Sequence, residues 1–584
     1  EEGRTVMNGE LDLTPRVILK VFFPDPERLL DTAYADFNRF LSEANLDRGE
    51  IPVMVKAADG MSRESYRLIV GEDAVTLEAS DTDGIRRGLY FLRDLIAGSP
   101  YLKQGETVRR PWLKNRISRC FFGPIKRPPF NIDELMNDID YYPEEYLSRL
   151  AREGVNGLWL TIVFREICDT SIRRAPPEAA RRIAKLRSTV ERCRRYGIRI
   201  WAFCIEPIYW SLSNGNPVPC DCEKLLGPGY SAQEAGAAMN SFCIHSETAR
   251  IYLYEAVNSL FRSVPHLGGM ITISHGERMT SCLSKIDVHS NGEIPCEKRC
   301  GMSTGEILSE ILTSMKKGMH DASPEAELIS WLYMPHVEQL SPWITQLPSR
   351  LTSDVALALN FESGITKRQL GSVRSGGDYW LSEVGPSDRF TQMAEAAQGH
   401  CEVAAKLQVA CSHECATVPY VPVPGLVYRK FRRMKELGVR HVIQCWYFGN
   451  YPGLMNEAAG KLAYEDFYGS EDSFLEELAR PEWGRDSFTA VQAWKHFASG
   501  YSNYPLDIQF QYYGPMHDGP IWPLHLKLSM TPLTRSWKPE TFPSGDALGE
   551  CMKHFELNEL TELTGMMSRE WRKGMNVLRQ VAEF

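Results

Sequence analysis

The segment 268–277 brings polar side chains to the end of a short apolar run. Two glycines precede the run, which is too short for a typical globular helix, and His275 and Glu277 end it. A buried strand of a parallel sheet has this pattern, and a (β/α)8 barrel carries its catalytic groups at the carboxyl ends of such strands. Glu277 is therefore a candidate general acid. The alternative interpretation is a carboxylate that caps the next helix or pairs with Arg278.

Carboxylates, histidines and aromatic residues follow other strand-like runs as well. Glu277, His275 and Glu414 are the candidates for catalysis, and Glu206 is a further carboxylate at a strand end. Carboxylates act as general acids and stabilise oxocarbenium-like transition states, while aromatic faces stack on pyranose rings. The convergence of these residue types is typical of a site that cleaves sugars. The candidate substrate-binding residues are His413, Trp331, Tyr333, Trp446, Tyr447, Asn450 and Tyr451.

These side chains must be positioned by regular elements in the middle of the chain. Strand-like runs alternate there with helical patterns, in the rhythm of βα units, which predicts an α/β fold with a closed (β/α)8 TIM barrel. No glycine-rich phosphate motif follows the first strand, which disfavours a nucleotide-binding fold. Because strands alternate faces, Trp446 is alternatively a core residue, and His413 is alternatively a structural hydrogen-bonding group. The predicted strands are 117–123, 157–164, 199–206, 270–277, 327–334, 354–362, 404–414 and 441–450.

The 584 residues divide into three predicted parts. A small α+β domain covers 1–110, and the barrel covers 111–460. A C-terminal mainly helical extension with aromatic loops covers 461–584. A barrel takes about 250 residues, so the length leaves room for flanking domains.

The composition of the chain argues against nucleic acids and membranes as binding partners. Hydrophobic residues make up 43% and charged residues 24% of the chain, as in ordinary globular proteins, and the net charge of −9 argues against nucleic acid as a partner. No apolar run reaches the ~20 residues of a membrane span, and the N-terminal residues lack the pattern of a signal peptide. We expect a glycan or glycoside as partner. We expect the aromatic loops near Trp522 to close a cleft, either that of the same chain or, in a homo-oligomer, that of a neighbour.

The fifteen cysteines fall into two groups. Several lie within strand-like runs, which indicates buried thiols in a reducing, cytoplasmic compartment. A second group, with short spacings of the CxC and CxxxC kind, lies in loop-like segments. Four thiolates hold a structural Zn²⁺ tetrahedrally, with no open position for substrate, so no cofactor is expected for catalysis; reduced thiols and disulfides are the alternatives. The second group comprises Cys220, Cys222, Cys282, Cys296 and Cys300, and the expected zinc ligands are Cys222, Cys282, Cys296 and Cys300.

Three segments of the N-terminal part resemble the small α+β domain that precedes the barrel in glycoside hydrolase family 20. They are the runs 66–71, 75–79 and 84–95. In that family the fourth barrel strand ends in a Gly-Gly-Asp-Glu type motif, whose Glu protonates the leaving oxygen and whose Asp orients the acetamido group of the substrate. Glu277 matches the acid, but Gly276 stands where the Asp would be. Arg116 is similar to the family's clamp on sugar hydroxyls, and Trp446 to its stacking Trp.

The resemblance implies an exo-acting hydrolase of terminal β-linked N-acetylhexosamine. The missing Asp points to a divergent relative of the β-N-acetylgalactosaminidase type, with N-acetylgalactosamine preferred and the acetamido group taking part. Another side chain must then stabilise the developing cation; His275, Glu206 and Glu414 are available, and Glu414 is favoured. The alternatives are a barrel hydrolase of another β-glycoside and a non-catalytic sugar-binding barrel.

Overall fold

A computed structural model gives the structure of most of the chain. Backbone alone is described for 210–211, 230–232 and 237–240. The residues described in full are 6–121, 123–126, 131–207, 242–276, 280–281, 283, 301–333, 342–352, 354–517, 551–552 and 554–581.

The N-terminal part is a sheet covered by helices. Five strands lie in the order β2-β3-β5-β4-β7, and β1 pairs with β6 in a separate ladder. In the helix Thr82–Gly98, Ile85, Leu89, Leu92 and Ile96 recur at helical spacing and are all buried in the core of this part. The strands are β1 (Glu10–Asp12), β2 (Val17–Val21), β3 (Ile51–Ala57), β4 (Tyr66–Val70), β5 (Val75–Ala79), β6 (Tyr101–Lys103) and β7 (Gly105–Arg109).

Eight parallel strands then close into a barrel, which confirms the predicted fold class. Their order is β10-β14-β15-β16-β19-β20-β8-β9. A three-stranded sheet and the hairpin β17–β18 are added to this frame. The strands are β8 (Asn115–Ser118), β9 (Gly157–Thr161), β10 (Arg199–Cys204), β11 (Trp210–Ser211), β12 (Tyr230–Ala232), β13 (Ala237–Asn240), β14 (Gly269–Gly276), β15 (Glu327–Tyr333), β16 (Val355–Asn360), β17 (Ile365–Gln369), β18 (Ser372–Gly376), β19 (Val403–Lys406) and β20 (Val439–Ile443).

Helices surround the barrel and form the C-terminal part. In that part the rings of Phe497 and Trp571 stack 4.5 Å apart, joining two long helices. No helix among the described residues combines the length and apolarity needed to cross a membrane. The helices are Asp31–Glu43, Thr82–Gly98, Glu144–Arg152, Phe164–Ile167, Ala179–Arg194, Glu247–Ser263, Thr304–His320, Pro342–Gln346, Asp388–Ala397, Pro424–Glu436, Leu454–Leu462, Glu471–Trp483, Ser487–Tyr501, Ile508–Tyr513 and Leu557–Leu578, with 3₁₀ turns at Pro348–Arg350, His413–Cys415 and Gly484–Asp486.

A buried ion cluster joins the N-terminal part to the barrel. Arg116 Nη2 lies 2.8 Å from both carboxylate oxygens of Glu64, and Arg87 Nε lies 3.0 Å from one of them. Arg116 also donates to the carbonyls of Gly154 and Leu113, and its side chain is fully buried. Its guanidinium is therefore held at the amino end of the barrel. This contradicts the expected role of Arg116 as a clamp on sugar hydroxyls.

We expect Glu64→Gln to lower the free energy of unfolding by about 3 kcal/mol, because two guanidinium groups stay buried without a counter-charge. Denaturant titration measures the loss. Glu78→Gln is the matched control, since its partner Arg67 is partly exposed, 3.5 Å away, and the loss is at most about 1 kcal/mol. Equal losses in the two variants contradict a stabilising ion cluster.

The contribution of Glu64 also depends on pH. Burial raises the pKa of its carboxyl, but the charges of Arg116 and Arg87 outweigh burial and lower it from 4.5 to about 2. The stabilisation is therefore complete above pH 4.5 and is lost as the pH falls towards 2. The difference in unfolding free energy between native chain and Glu64→Gln should be smaller at pH 3 than at pH 7. A difference that does not change with pH contradicts the lowered pKa.

Candidate functional site

Aromatic rings crowd the carboxyl ends of the barrel strands, which we call the barrel mouth. The rings of Tyr333 and Trp446 are stacked with centroids 6.0 Å apart, at an interplanar angle of 18°. Trp331 meets Trp446 edge-on at 5.2 Å, and Tyr447 lies 4.8 Å from Trp446. The guanidinium of Arg119 lies 5.5 Å from the Tyr447 ring, so a cation also faces this cluster. Four of the residues expected to bind substrate thus come together.

The pleat of β15 explains two of these positions. Ile329, Trp331 and Tyr333 alternate along the strand and all belong to the cluster inside the barrel, because side chains two apart share one face. The indole of Trp331 donates to Asn360 Oδ1 at 3.0 Å, which fixes its ring against the neighbouring strand β16.

Asp378 is a buried carboxylate at the mouth that the sequence analysis missed. The hydroxyl of Tyr333 donates to its Oδ1 at 3.3 Å, and the hydroxyl of Tyr512 donates to its Oδ2. His413 Nε2 lies 4.0 Å from Oδ2. Asp378 follows the hairpin β17–β18 and does not lie at the end of a barrel strand. Its sequence signal is the pair of buried aromatic residues that comes directly after it.

His413 lies in the same group of residues. Its ring is stacked between those of Tyr379, 5.5 Å away, and Tyr512, 4.5 Å away. The structure thus brings His413, predicted to bind substrate, into contact with the loop that carries Asp378.

Glu414 holds this loop from behind. Its carboxylate accepts hydrogen bonds from the backbone amides of Leu381, at 2.7 Å, and Ser382, at 3.1 Å, and from the hydroxyl of Ser412. The side chain is fully buried, and burial raises its pKa. Backbone amides of the loop occupy both oxygens of Glu414, so its described contacts are those of a structural anchor, and its catalytic role stays a prediction. Its carboxylate anchors the segment that follows Asp378.

His275 faces away from the mouth. It pairs in register with Leu332 after a bulge in β14, and Leu332 belongs to the core between barrel and helices. The His275 ring meets Trp343 of the helix Pro342–Gln346 edge-on at 5.2 Å, and neither of its nitrogens has a partner among the described residues. Burial lowers its pKa to about 4, so the ring is neutral near pH 7. This position contradicts the expected catalytic role of His275.

Gly276 ends β14 with φ +139°, opposite Tyr333. A Cβ atom at this position would lie 1.7 Å from the carbonyl oxygen of Tyr333. Only glycine therefore fits here. The Asp of the family motif is excluded at this position by the backbone itself.

The structure also describes the surroundings of three further candidate residues. Asn450 is fully buried, and its amide donates to the carbonyl of Gln444 at 3.2 Å. Tyr451 is 47% exposed and packs its ring on Phe121, 5.2 Å away. Glu206 accepts a hydrogen bond from the Phe164 amide at 2.9 Å and is buried.

The remaining predicted site residues lie outside the described part of the chain. They are Glu277 and the expected zinc ligands Cys222, Cys282, Cys296 and Cys300.

Within the described part, one group has metal-ligand geometry. Glu327, Glu402 and His441 place ligand atoms within 4.8 Å of one another at the amino end of the barrel. Arg199 already lies 3.0 Å from Glu327, and Lys114 lies 2.6 Å from Glu402. An incoming metal ion would have to displace these cations, so an ion-pair network accounts for the group.

Comparisons with known proteins support the fold. No protein-family model matches the sequence, and no curated protein matches it either. A structure described as a GH138 enzyme targeting the pectin rhamnogalacturonan II matches with a TM-score of 0.57 at 11% identity, over 97% of this chain and 83% of the other. A structure named CpGH84B matches with a TM-score of 0.51 at 11% identity, over 98% and 89%. A β-N-acetylhexosaminidase from Bacteroides fragilis matches with a TM-score of 0.45 at 11% identity, over 80% and 90%. At this identity the likeness shows the fold alone.

We expect Gly276→Ala to destabilise the protein by at least about 2 kcal/mol more than Gly105→Ala, because its methyl group collides with backbone. Gly105 is the matched control: its φ is +144°, and nothing lies within 4 Å of an added Cβ. Chemical denaturation of both variants measures the difference. Losses of the same size would show that the collision at Gly276 is relieved by movement of β15.

Proposed function

We propose that this protein is a glycoside hydrolase whose active site is the barrel mouth. The observation that carries the proposal is Asp378, held between two tyrosine hydroxyls beside the stacked rings of Tyr333 and Trp446. A positioned carboxylate stabilises a developing oxocarbenium ion, and aromatic faces bind the sugar ring. The barrel fold shared with a GH138 enzyme is consistent with this chemistry.

Glu277 is proposed as the general acid. It follows Gly276, the last residue of β14, which pairs with Tyr333. The hydroxyl of Tyr333 in turn binds Asp378, so the chain enters residue 277 from a position next to the proposed site. Glu277 would protonate the leaving oxygen, which requires a raised pKa near neutral pH. Asp378 would supply the negative charge that faces the anomeric carbon, and Trp446 the platform for the sugar.

The proposed substrate is a terminal β-linked N-acetylhexosamine, with N-acetylgalactosamine preferred, as the family resemblance implies. Since Gly276 excludes the family's Asp, Asp378 takes over the stabilisation of the acetamido group as it attacks. The same exclusion favours a second candidate function, in which the barrel hydrolyses another β-glycoside without acetamido participation.

Hydrolysis of 4-nitrophenyl β-glycosides tests the proposal. The set comprises N-acetylgalactosamine, N-acetylglucosamine and galactose derivatives, assayed with the native chain, Glu277→Gln and Asp378→Asn. We expect each variant to lower kcat/KM by at least about 100-fold, because each removes a charge or proton that acts in the transition state. Unchanged melting temperatures separate this loss from misfolding.

Asp321→Asn is the matched control for Asp378→Asn. Asp321 also accepts a hydrogen bond from a tyrosine, Tyr254, at 2.8 Å, but at an exposed site away from the mouth. Its activity should equal that of the native chain. Full activity of Asp378→Asn contradicts its assigned role, cleavage of plain galactoside supports the second candidate, and saturable sugar binding without cleavage supports a non-catalytic barrel.

A further inference from the structure

Lys406 is a buried cation in the top layer of the barrel mouth. It pairs in register with Asn360, and both continue the inward-facing rows of Ala404 and Ala358. Its Nζ lies 3.7 Å from the centre of the Tyr379 ring. It also lies 5.9 Å from the Trp331 ring, so it faces the same rings as the proposed sugar platform.

In the described part of the chain, no counter-ion contacts the amine of Lys406. Among the described residues, its one hydrogen-bond acceptor is the carbonyl of Leu407, at 3.0 Å, and no carboxylate lies within ion-pair distance. An ammonium group has three donors and a large cost of burial unless it is paired. The charges of Glu362 and Asp378 act on the amine without contact, so an anionic ligand in contact would bring a closer negative charge.

Two neighbouring amides also have unused hydrogen-bonding capacity. Among the described residues, the Nδ2 atom of Asn360 has no partner and neither polar side-chain atom of Gln408 has one, although both residues are buried. Gln408 shares the face of Lys406, because the chain stays extended there: the amides of Leu407 and Val409 both bond to strand β20 or its continuation. Buried polar groups without partners are rare in native proteins, and here two residues beside the buried amine of Lys406 share the feature.

The charged groups around Lys406 each have another partner, although the Oε2 atom of Glu362 has none among the described residues. Glu362 is bound by Lys430 at 2.5 Å, and Asp378 is bound by the hydroxyls of Tyr333 and Tyr512. Burial lowers the pKa of Lys406 to about 7, opposed by Cys445, Glu362 and Asp378, while Lys430 lowers it further. An anion in contact with the amine would stabilise its protonated form and form charge-assisted hydrogen bonds with it.

We propose that Lys406, Asn360 and Gln408 form a subsite for an anionic substituent of the substrate glycan, a carboxylate or a sulfate group. The inference rests on the proposed function for the nature of the ligand. The aromatic rings bind the sugar, and the three polar side chains select sugars that carry a negative group. A neutral hydroxyl would satisfy the amides but would leave the ammonium charge unpaired.

Paired substrates test the subsite in hydrolysis. One pair is the 4-nitrophenyl β-glucuronide and β-glucoside; the other is the 6-sulfated and the plain β-N-acetylglucosaminide. With the native chain, we expect kcat/KM to be at least about 10-fold higher for the charged member of one pair than for its neutral member. The pair that shows this preference identifies the anionic group as a carboxylate or a sulfate. In Lys406→Met, the ratio of kcat/KM for the charged substrate to kcat/KM for the neutral one should fall to about 1 or lower.

Two further variants keep the test interpretable. Lys316→Met is the matched control, because Lys316 lies on the outer helix Thr304–His320 and pairs with Asp354; its ratio should equal that of the native chain. Gln408→Leu should lower this ratio by a smaller factor. It provides the test of the subsite if Lys406→Met does not fold. A native preference for the neutral members, or a ratio unchanged in Lys406→Met, overturns the subsite.

Binding measurements separate this inference from the proposed function. Calorimetric titration with glucuronate and with N-acetylglucosamine 6-sulfate uses the native chain and Lys406→Met, without any hydrolysis. Anion binding that is lost in the variant, together with no cleavage of any glycoside, keeps the subsite and overturns the hydrolase. Cleavage of neutral glycosides without anion binding overturns the subsite and keeps the hydrolase, and the absence of both overturns both.

Discussion

The close contact between Gly276 and the carbonyl of Tyr333 keeps any side chain out of the end of strand β14. Strand β14 passes so close to β15 that an added Cβ atom would lie 1.7 Å from that oxygen. A carboxylate therefore cannot stand beside position 277 on this strand. Tyr333 instead donates its hydroxyl to Asp378, on the loop after β18, which we propose as the carboxylate of the site. In this proposal, Tyr333 blocks a side chain at position 276 with its carbonyl and binds the catalytic carboxylate with its hydroxyl.

The loop that carries Asp378 is fixed by polar contacts behind it. Glu414 binds two successive backbone amides of this loop, and Lys430 donates to the carbonyls of Trp380 and Glu383 while pairing with Glu362. Buried charges of this kind are costly unless each is paired, so their value here lies in holding one loop geometry. Preorganised carboxylates act in catalysis because they need no rearrangement when charge develops.

Much of the frame could be predicted from the sequence, since strands buried on both faces form short apolar runs that are easily recognised. All eight predicted barrel strands correspond to observed ones. The direction in which each side chain points was harder to predict. Arg116 and Ile117 are neighbours in the chain, yet of the two only Ile117 points into the barrel. Strand β19 ends at Lys406, well before the predicted end at 414, so Glu414 lies in a 3₁₀ turn with its own backbone partners. Asp378 could not be found from strand ends, because a hairpin separates it from β16.

We propose that a sugar binds on Trp446 with its anomeric carbon facing Asp378. The most direct measurement is a crystal structure of Glu277→Gln with a bound 4-nitrophenyl β-N-acetylgalactosaminide. We expect the pyranose ring to lie on the Trp446 platform. An Asp378 oxygen should then lie about 3–3.5 Å from the anomeric carbon or from the acetamido group. A sugar bound elsewhere on the chain, or one at the mouth with Asp378 out of contact, would contradict it.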